Sequence, residues 1–177
     1  MSTATVALPF GLQAWIDQHV PQSLGSVGNK EIFKGSDFIF QIIKGPNARN
    51  EYHIDPWDEI FYQLQGDMFL SYIDGEGQHQ QVCIGEGEVF LLPKRVPHSP
   101  QRPAGSIGLV IERPRTPEEL DAVVWFCEQC GHLLHEVEYW REDTARGLKE
   151  IIRDFNTNEV LRTCIQCGAK LPDPSRA

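Results

Sequence analysis

The chain has 177 residues with 16 Lys and Arg against 25 Asp and Glu, a formal net charge of −9. That length supplies one full hydrophobic core and a small appendage, and the negative charge repels polyphosphate, so a nucleic-acid partner is disfavoured. No run approaches the roughly 18–20 apolar residues of a membrane span, and residues 1–12 lack a charged segment followed by a long apolar one, so a soluble, cytoplasmic protein with no membrane partner is expected.

Leu8, Leu12, Trp15 and Ile16 recur at helical spacing and predict a short amphipathic helix that stops before Pro21. From about residue 30 to 112 the pattern changes. Apolar segments at 37–43, 58–65, 67–73, 79–84, 88–92 and 106–112 are separated by Gly, Pro, Asn and Asp turns, which predicts a β-sandwich or small barrel. Gly66-Asp67 and Asp74-Gly75 are tight-turn signals that fold 58–73 into a hairpin. Thr116-Pro117-Glu118-Glu119 reads as a capping box, predicting a brief helix where a barrel over residues 1–114 gives way to an extension over 115–177. In the extension, 123–140 reads as strand, knuckle, strand. Asp143 then caps a helix with Leu148, Ile151, Ile152 and Phe155 on one face.

Two short blocks carry the chemistry: His53, Asp55, Glu59 and Gly66, then Gly87, Pro93, His98 and Arg102. They supply two imidazoles and one carboxylate, the ligand set of an open iron site that handles dioxygen. For His53 and Glu59 to face one another the chain must bend at Pro56-Trp57 and re-enter a strand at Glu59. His98 follows the 88–92 strand after the bend made by Pro93 and Pro97. A lone histidine is more often a loop-end side chain bonded to backbone, but two with a glutamate at this spacing point to a metal. Arg49 lies four residues before His53, Arg102 four after His98, and Glu112 ends the 106–112 segment. Arginine forks suit a planar carboxylate, although a solvated surface fork is the ordinary reading, and a glutamate beside a metal can move a proton.

Cys127-Glu128-Gln129-Cys130-Gly131 and Cys164-Ile165-Gln166-Cys167-Gly168 form a second metal signal. Two residues between thiolates let both grip one ion, and the glycine permits the knuckle turn. Four sulfurs close the coordination sphere, so this site is expected to be structural, holding iron or zinc, with His132 and His135 as competing ligands. Cys83, alone in a strand segment, is expected to be a core thiol.

The two blocks resemble the paired motifs of the cupin superfamily: His-x-His, three residues, Glu, six residues, Gly; and Gly, five residues, Pro, x, Gly, two residues, His, three residues, Asn. Every spacing is kept, while Asp55 stands where a ligand histidine is usual, Arg95 where a glycine is, and Arg102 where an asparagine is. Asp55 is read as subtracting a ligand rather than adding a fourth. With YHIDPWDEIFYQLQGDM, VFLLPKRVPHSPQRP, LVIERPR and the paired cysteines, nearly the whole chain resembles the bacterial 3-hydroxyanthranilate 3,4-dioxygenases.

That resemblance implies an all-β dominated fold: a double-stranded β-helix or jelly-roll barrel with a short N-terminal helix and a small rubredoxin-like metal-knuckle appendage. It implies catalytic Fe(II) on His53, Glu59 and His98, and a second iron or zinc on Cys127, Cys130, Cys164 and Cys167. Arg49 and Asn29 would hold the substrate carboxylate, Arg102 and Glu112 would act at the ring substituents and dioxygen, Val27 and Pro100 would line the ring faces, and Glu59 would also touch the substrate. It further implies 3-hydroxyanthranilate and O2 as substrates, a product that closes to quinolinate, and a homodimer. The alternatives are a non-enzymatic cupin sensor or regulator, another cupin dioxygenase, or a sugar isomerase.

Overall fold

A computed structural model describes residues 6–20, 29–47, 49–141 and 144–174, with side chains in the last stretch from 147 onward. Helix α1 (Leu12–His19) starts at Gly11, whose carbonyl accepts from Trp15. It buries Ile16, with Val20 just beyond, against Ile42, Ile107 and Leu109, while Leu8 stays exposed. Each fully buried aliphatic side chain contributes about 1.5–3 kcal/mol, enough for this contact to fix a helix too short to persist alone.

Eleven strands follow among the described residues: β1 (Asn29–Glu31), β2 (Ile39–Lys44), β3 (Tyr52–Ile54), β4 (Glu59–Gln65), β5 (Met68–Ile73), β6 (His79–Ile84), β7 (Val89–Leu92), β8 (His98–Gln101), β9 (Ile107–Glu112), β10 (Asp121–Phe126) and β11 (Leu133–Tyr139). They form two sheets, ordered β1-β2-β9-β4-β7 and β11-β10-β3-β8-β5-β6. Phe61 and Val110 from one sheet meet Met68, Leu70 and Ile84 from the other in the core between them.

The expected hairpin over 58–73 does not form. β4 pairs with β7 and β9, whereas β5 pairs with β6 and β8. Both strands carry buried residues at alternate positions, and facing one another across the core buries both sets, which pairing side by side would not. Gly66, at φ 61°, turns the corner between sheets and donates its N–H to Glu86 Oε2 at 2.9 Å. The second turn does close a hairpin: Asp74 Oδ1 accepts from Glu76 N at 3.0 Å and Gln78 N at 2.8 Å, joining β5 to β6.

The capping box also differs from expectation. Thr116 N–H donates to Glu119 Oε2 at 2.9 Å and Glu119 N–H to Thr116 O at 3.0 Å, but the segment makes one turn and no helix. Arg115 Nε donates to Asp121 Oδ1 at 3.0 Å, and that buried pair draws the chain straight into β10. β10 pairs with β3, setting Val123 opposite His53, so residues on both sides of position 115 share one sheet. Helix α2 (Thr144–Thr157) lays Leu148, Ile151, Ile152 and Phe155 on the core of Val123, Trp125 and Leu171, and α3 (Glu159–Arg162) leads to the second knuckle. Asp143, expected to cap α2, lies outside the described residues. Cys83 is exposed on β6, not in the core: strand alternation buries its neighbour Ile84 instead.

Candidate metal centre and its cavity

β3 and β8 run side by side with His53 and His98 as register partners, their ring centroids 6.2 Å apart. His98 therefore belongs to a strand of its own, not to the end of the 89–92 segment. Glu59 opens β4 on the opposite sheet, after the chain has passed Pro56 and Trp57, and its carboxylate reaches across to His98.

His98 Nδ1 lies 3.0 Å from Val96 O, a carbonyl that can only accept, so Nδ1 holds the proton and Nε2 presents a lone pair. That Nε2 lies 2.8 Å from Glu59 Oε2, yet Glu59 Oε2 is buried and has no hydrogen-bond partner. With Nδ1 already protonated, two atoms this close share either a proton or a cation, and a backbone carbonyl fixing the far ring nitrogen is the usual support of a metal-binding imidazole. Burial and the Asp55 charge push the Glu59 carboxyl up to about 8. Burial alone would lower His98, but Glu59 outweighs it and raises the imidazole to about 9. Protons and a cation thus compete for the same atoms.

Donor atoms of Asp55, Glu59 and His98 lie within 4.8 Å of one another. His53 stands apart from that cluster; its Nε2 accepts from Arg49 Nη1 at 2.9 Å, with Glu51 Oε1 3.7 Å away. Burial, opposed by Glu51 and reinforced by Arg49, holds His53 below its ordinary value, so the ring is a neutral donor. Asp55 is only half free. Its Oδ2 is 3.6 Å from His98 Nε2, while its Oδ1 accepts from Arg115 Nη2 at 2.6 Å.

A cavity of about 280 Å3 opens over these groups. Asn29, Arg49, Pro100 and Glu112 line it, together with His53, Glu59 and His98. Asn29 donates to Gln41 Oε1. Arg102 is buried and absent from the described lining: its Nη1 donates to Gln63 Oε1 at 3.1 Å, and its Nη2, like Arg49 Nε, has no partner. It fits inside the barrel because residue 108 is glycine, where any Cβ would collide with the guanidinium. Burial, then the charge of Arg49, lowers Arg102 to about 10. Val27 lies outside the described residues.

Sequence reasoning missed Gln41, Phe61, Val110, Tyr139, Arg141 and Lys149 in the lining. Strand alternation could have found two of them, since Phe61 is two residues from Glu59 and Val110 two from Glu112 on paired strands. No sequence signal marks Arg141, which forks onto Glu112 from beyond β11.

The four knuckle cysteines also converge. Cys127 Sγ and Cys167 Sγ are 3.5 Å apart, and Cys130 Sγ and Cys164 Sγ 3.6 Å. Four thiolates at a Zn–S or Fe–S distance of about 2.3 Å would stand about 3.8 Å apart, so the spacing suits one ion. Gly131 at φ 72° and Gly168 at φ 76° close the two turns. Burial would raise the Cys164 thiol, but the backbone N–H groups of Cys167 and Gln166 bring it down to about 6, toward the thiolate a metal takes. His132 is not in the cluster, and His135 stacks with Trp125 and Phe155.

The family model of 3-hydroxyanthranilic acid dioxygenase matches residues 4–156. A 3-hydroxyanthranilate 3,4-dioxygenase of Bacillus thuringiensis (strain Al Hakam) is 44% identical over 164 residues, 93% of this chain and 92% of that protein. One of Xanthomonas campestris pv. campestris (strain B100) is 46% identical over 168 residues, 95% and 94% of the two chains. Among solved structures, a cupin-2 domain containing protein from Shewanella frigidimarina aligns with a TM-score of 0.48 and 18% identity, over 59% of this chain and 93% of that one.

Proposed function

The chain belongs to the 3-hydroxyanthranilic acid dioxygenase family, and from that premise we propose that it cleaves the ring of 3-hydroxyanthranilate with O2 to give 2-amino-3-carboxymuconate semialdehyde, which closes to quinolinate. Both oxygen atoms of O2 enter the product. The observation that carries the reading is the 2.8 Å convergence of His98 Nε2 and the otherwise unpartnered, buried Glu59 Oε2 in the cavity lining.

His53, Glu59 and His98 would hold Fe(II), with Arg49 turning off the His53 lone pair to admit it. Bound there, ferrous iron supplies the redox chemistry that lets triplet dioxygen react with a singlet aromatic. The protein's own groups bind, orient and move protons. Arg49 brings to the cavity wall a cation whose Nε is unpartnered, which supports capture of a carboxylate, while Arg102, buried behind the lining, would act toward the ring substituents and dioxygen. Asn29 sits at the same wall and Pro100 offers an apolar ring face. Glu112 would take and return the proton of the ring hydroxyl.

Iron or zinc on Cys127, Cys130, Cys164 and Cys167 would be structural, since four thiolates leave no open position. A homodimer is proposed as well. The outer face of β4 and β7 leaves Val89 69% and Leu91 56% exposed beside Ile60 and Tyr62, an apolar patch that a second copy could cover.

The test is oxygen uptake by ferrous-loaded protein given 3-hydroxyanthranilate, with the near-ultraviolet absorbance of the semialdehyde followed in parallel. Stoichiometric uptake and product are expected. Iron-loaded protein that binds the aromatic but consumes no oxygen would turn the reading toward a ligand-sensing protein.

A further inference from the structure

Glu112 is 5% exposed and is held by two guanidiniums from the C-terminal extension. Arg115 comes from beneath the cavity: its Nη1 reaches Glu112 Oε2 at 2.8 Å, and its Nη2 is fixed by Asp55 Oδ1 at 2.6 Å and Asp121 Oδ1 at 3.0 Å. Arg141 comes from the cavity wall, its Nη1 on Oε2 and its Nη2 on Oε1 at 3.2 Å. The two oxygens are therefore unequally committed. Oε2 accepts two charge-assisted bonds and Oε1 a single long one, so the spare lone-pair capacity lies on Oε1.

We propose that Arg141 is a positioning residue: it fixes the Glu112 carboxylate so that Oε1 is the oxygen that exchanges a proton with the bound aromatic. The role rests on the ring-cleaving function proposed above. In the transfer the O–H bond of the substrate hydroxyl breaks, its electron pair stays on the phenolate oxygen, and the proton passes to Oε1. Arg115 cannot do the positioning alone. It grips Glu112 through one nitrogen, about which the carboxylate can swing, whereas the fork from Arg141 removes that rotation. Arg115 is itself anchored by Asp55, so the residue standing where cupins usually have a second histidine holds the base of this clamp.

The experiment uses the full ferrous-loaded chain, as wild type, Arg141→Met, Arg141→Lys, and each change combined with Glu112→Gln. Steady-state kinetics and thermal unfolding are measured for all. Arg141→Met is expected to lower kcat about 10- to 100-fold, part of the general acid–base contribution, with KM changed less than about threefold and the melting temperature close to wild type. Lysine should recover part of the loss, because it keeps the charge but not the fork. On the Glu112→Gln background neither change should cost further, since the group being positioned is already disabled. Unchanged kcat in Arg141→Met, a change confined to KM, or an undiminished loss on the Glu112→Gln background would overturn the positioning role alone. No turnover by the wild type would overturn the proposed function, and this role with it.

Discussion

Asn50 Oδ1 accepts a hydrogen bond from Trp125 Nε1 at 3.0 Å across 75 residues of sequence. Its Nδ2 donates to Asn156 Oδ1 at 2.8 Å and to Pro172 O at 3.0 Å. One side chain beside Arg49 thus ties the loop entering β3 to the last strand pair, to α2 and to the segment after the second knuckle. Asn50→Ala leaves the Trp125 indole N–H without its acceptor in a buried core, and a loss of about 1–3 kcal/mol is expected. At roughly 2–4 °C per kcal/mol for a chain of this size, calorimetry should find a melting temperature several degrees lower. An unchanged melting temperature would show that water replaces the latch.

Arg49 and Glu112 should separate kinetically. Arg49 meets the substrate through charge, so Arg49→Ala is expected to raise KM by about tenfold or more, the value of one lost charge-assisted bond. Glu112→Gln keeps the shape and removes the base, so it is expected to lower kcat about 100-fold with little change in KM. Steady-state rates at saturating O2 decide it, and the reverse pattern would exchange the two roles.

That His53, Glu59 and His98 meet was legible because their spacing matches barrel strands that pair or face one another, whereas the closer approach of Asp55 than of His53 to the other two was not. The knuckles were legible for the same reason, and Gly131 and Gly168 take the positive φ their turns demand. The clamp on Glu112 was not. Arg115 and Arg141 act through long side chains that reach across strands, and no periodicity constrains where such a residue sits in the chain. The β4–β5 turn was misread for a related reason. Gly66-Asp67 records a sharp reversal, but whether the strands then pair or face one another depends on which partners, β9 and β8 here, take their edges.

Arg95 occupies the left-handed region at φ 64°, at the position where the resembled motif has glycine. Its N–H still donates to Asp55 O at 2.8 Å, so the strained backbone supports the strand end that carries Asp55. A side chain in this conformation costs about 1–2 kcal/mol, and glycine recovers that less the entropy it adds to the unfolded chain. Arg95→Gly is therefore expected to stabilise by about 0.5 kcal/mol, and Arg95→Val, being β-branched, to destabilise by more than about 1 kcal/mol. Denaturant unfolding of the three proteins checks the order, and a Val variant as stable as the Gly variant would remove strain as the explanation.

Asp74 organises the β5–β6 turn as an acceptor for two backbone N–H groups, and its Oδ2 accepts from Gln80 Nε2 at 2.9 Å. The N–H of Gln78, then the Gln80 amide, hold its carboxyl below the ordinary value of 3.8. The folded state therefore binds this proton less tightly than the unfolded chain, so the contribution is fully present above 3.8 and is lost as pH falls through the lower folded value. Asp74→Ala should be less stable than wild type at neutral pH, and the gap should narrow only in acid below the ordinary carboxylate range. Urea unfolding at neutral and acid pH, with the Asp74 carboxyl followed by NMR, checks both parts. A titration midpoint at or above 3.8, or a gap that closes already at mildly acidic pH, would mean that the turn is held by its backbone bonds and not by this carboxylate.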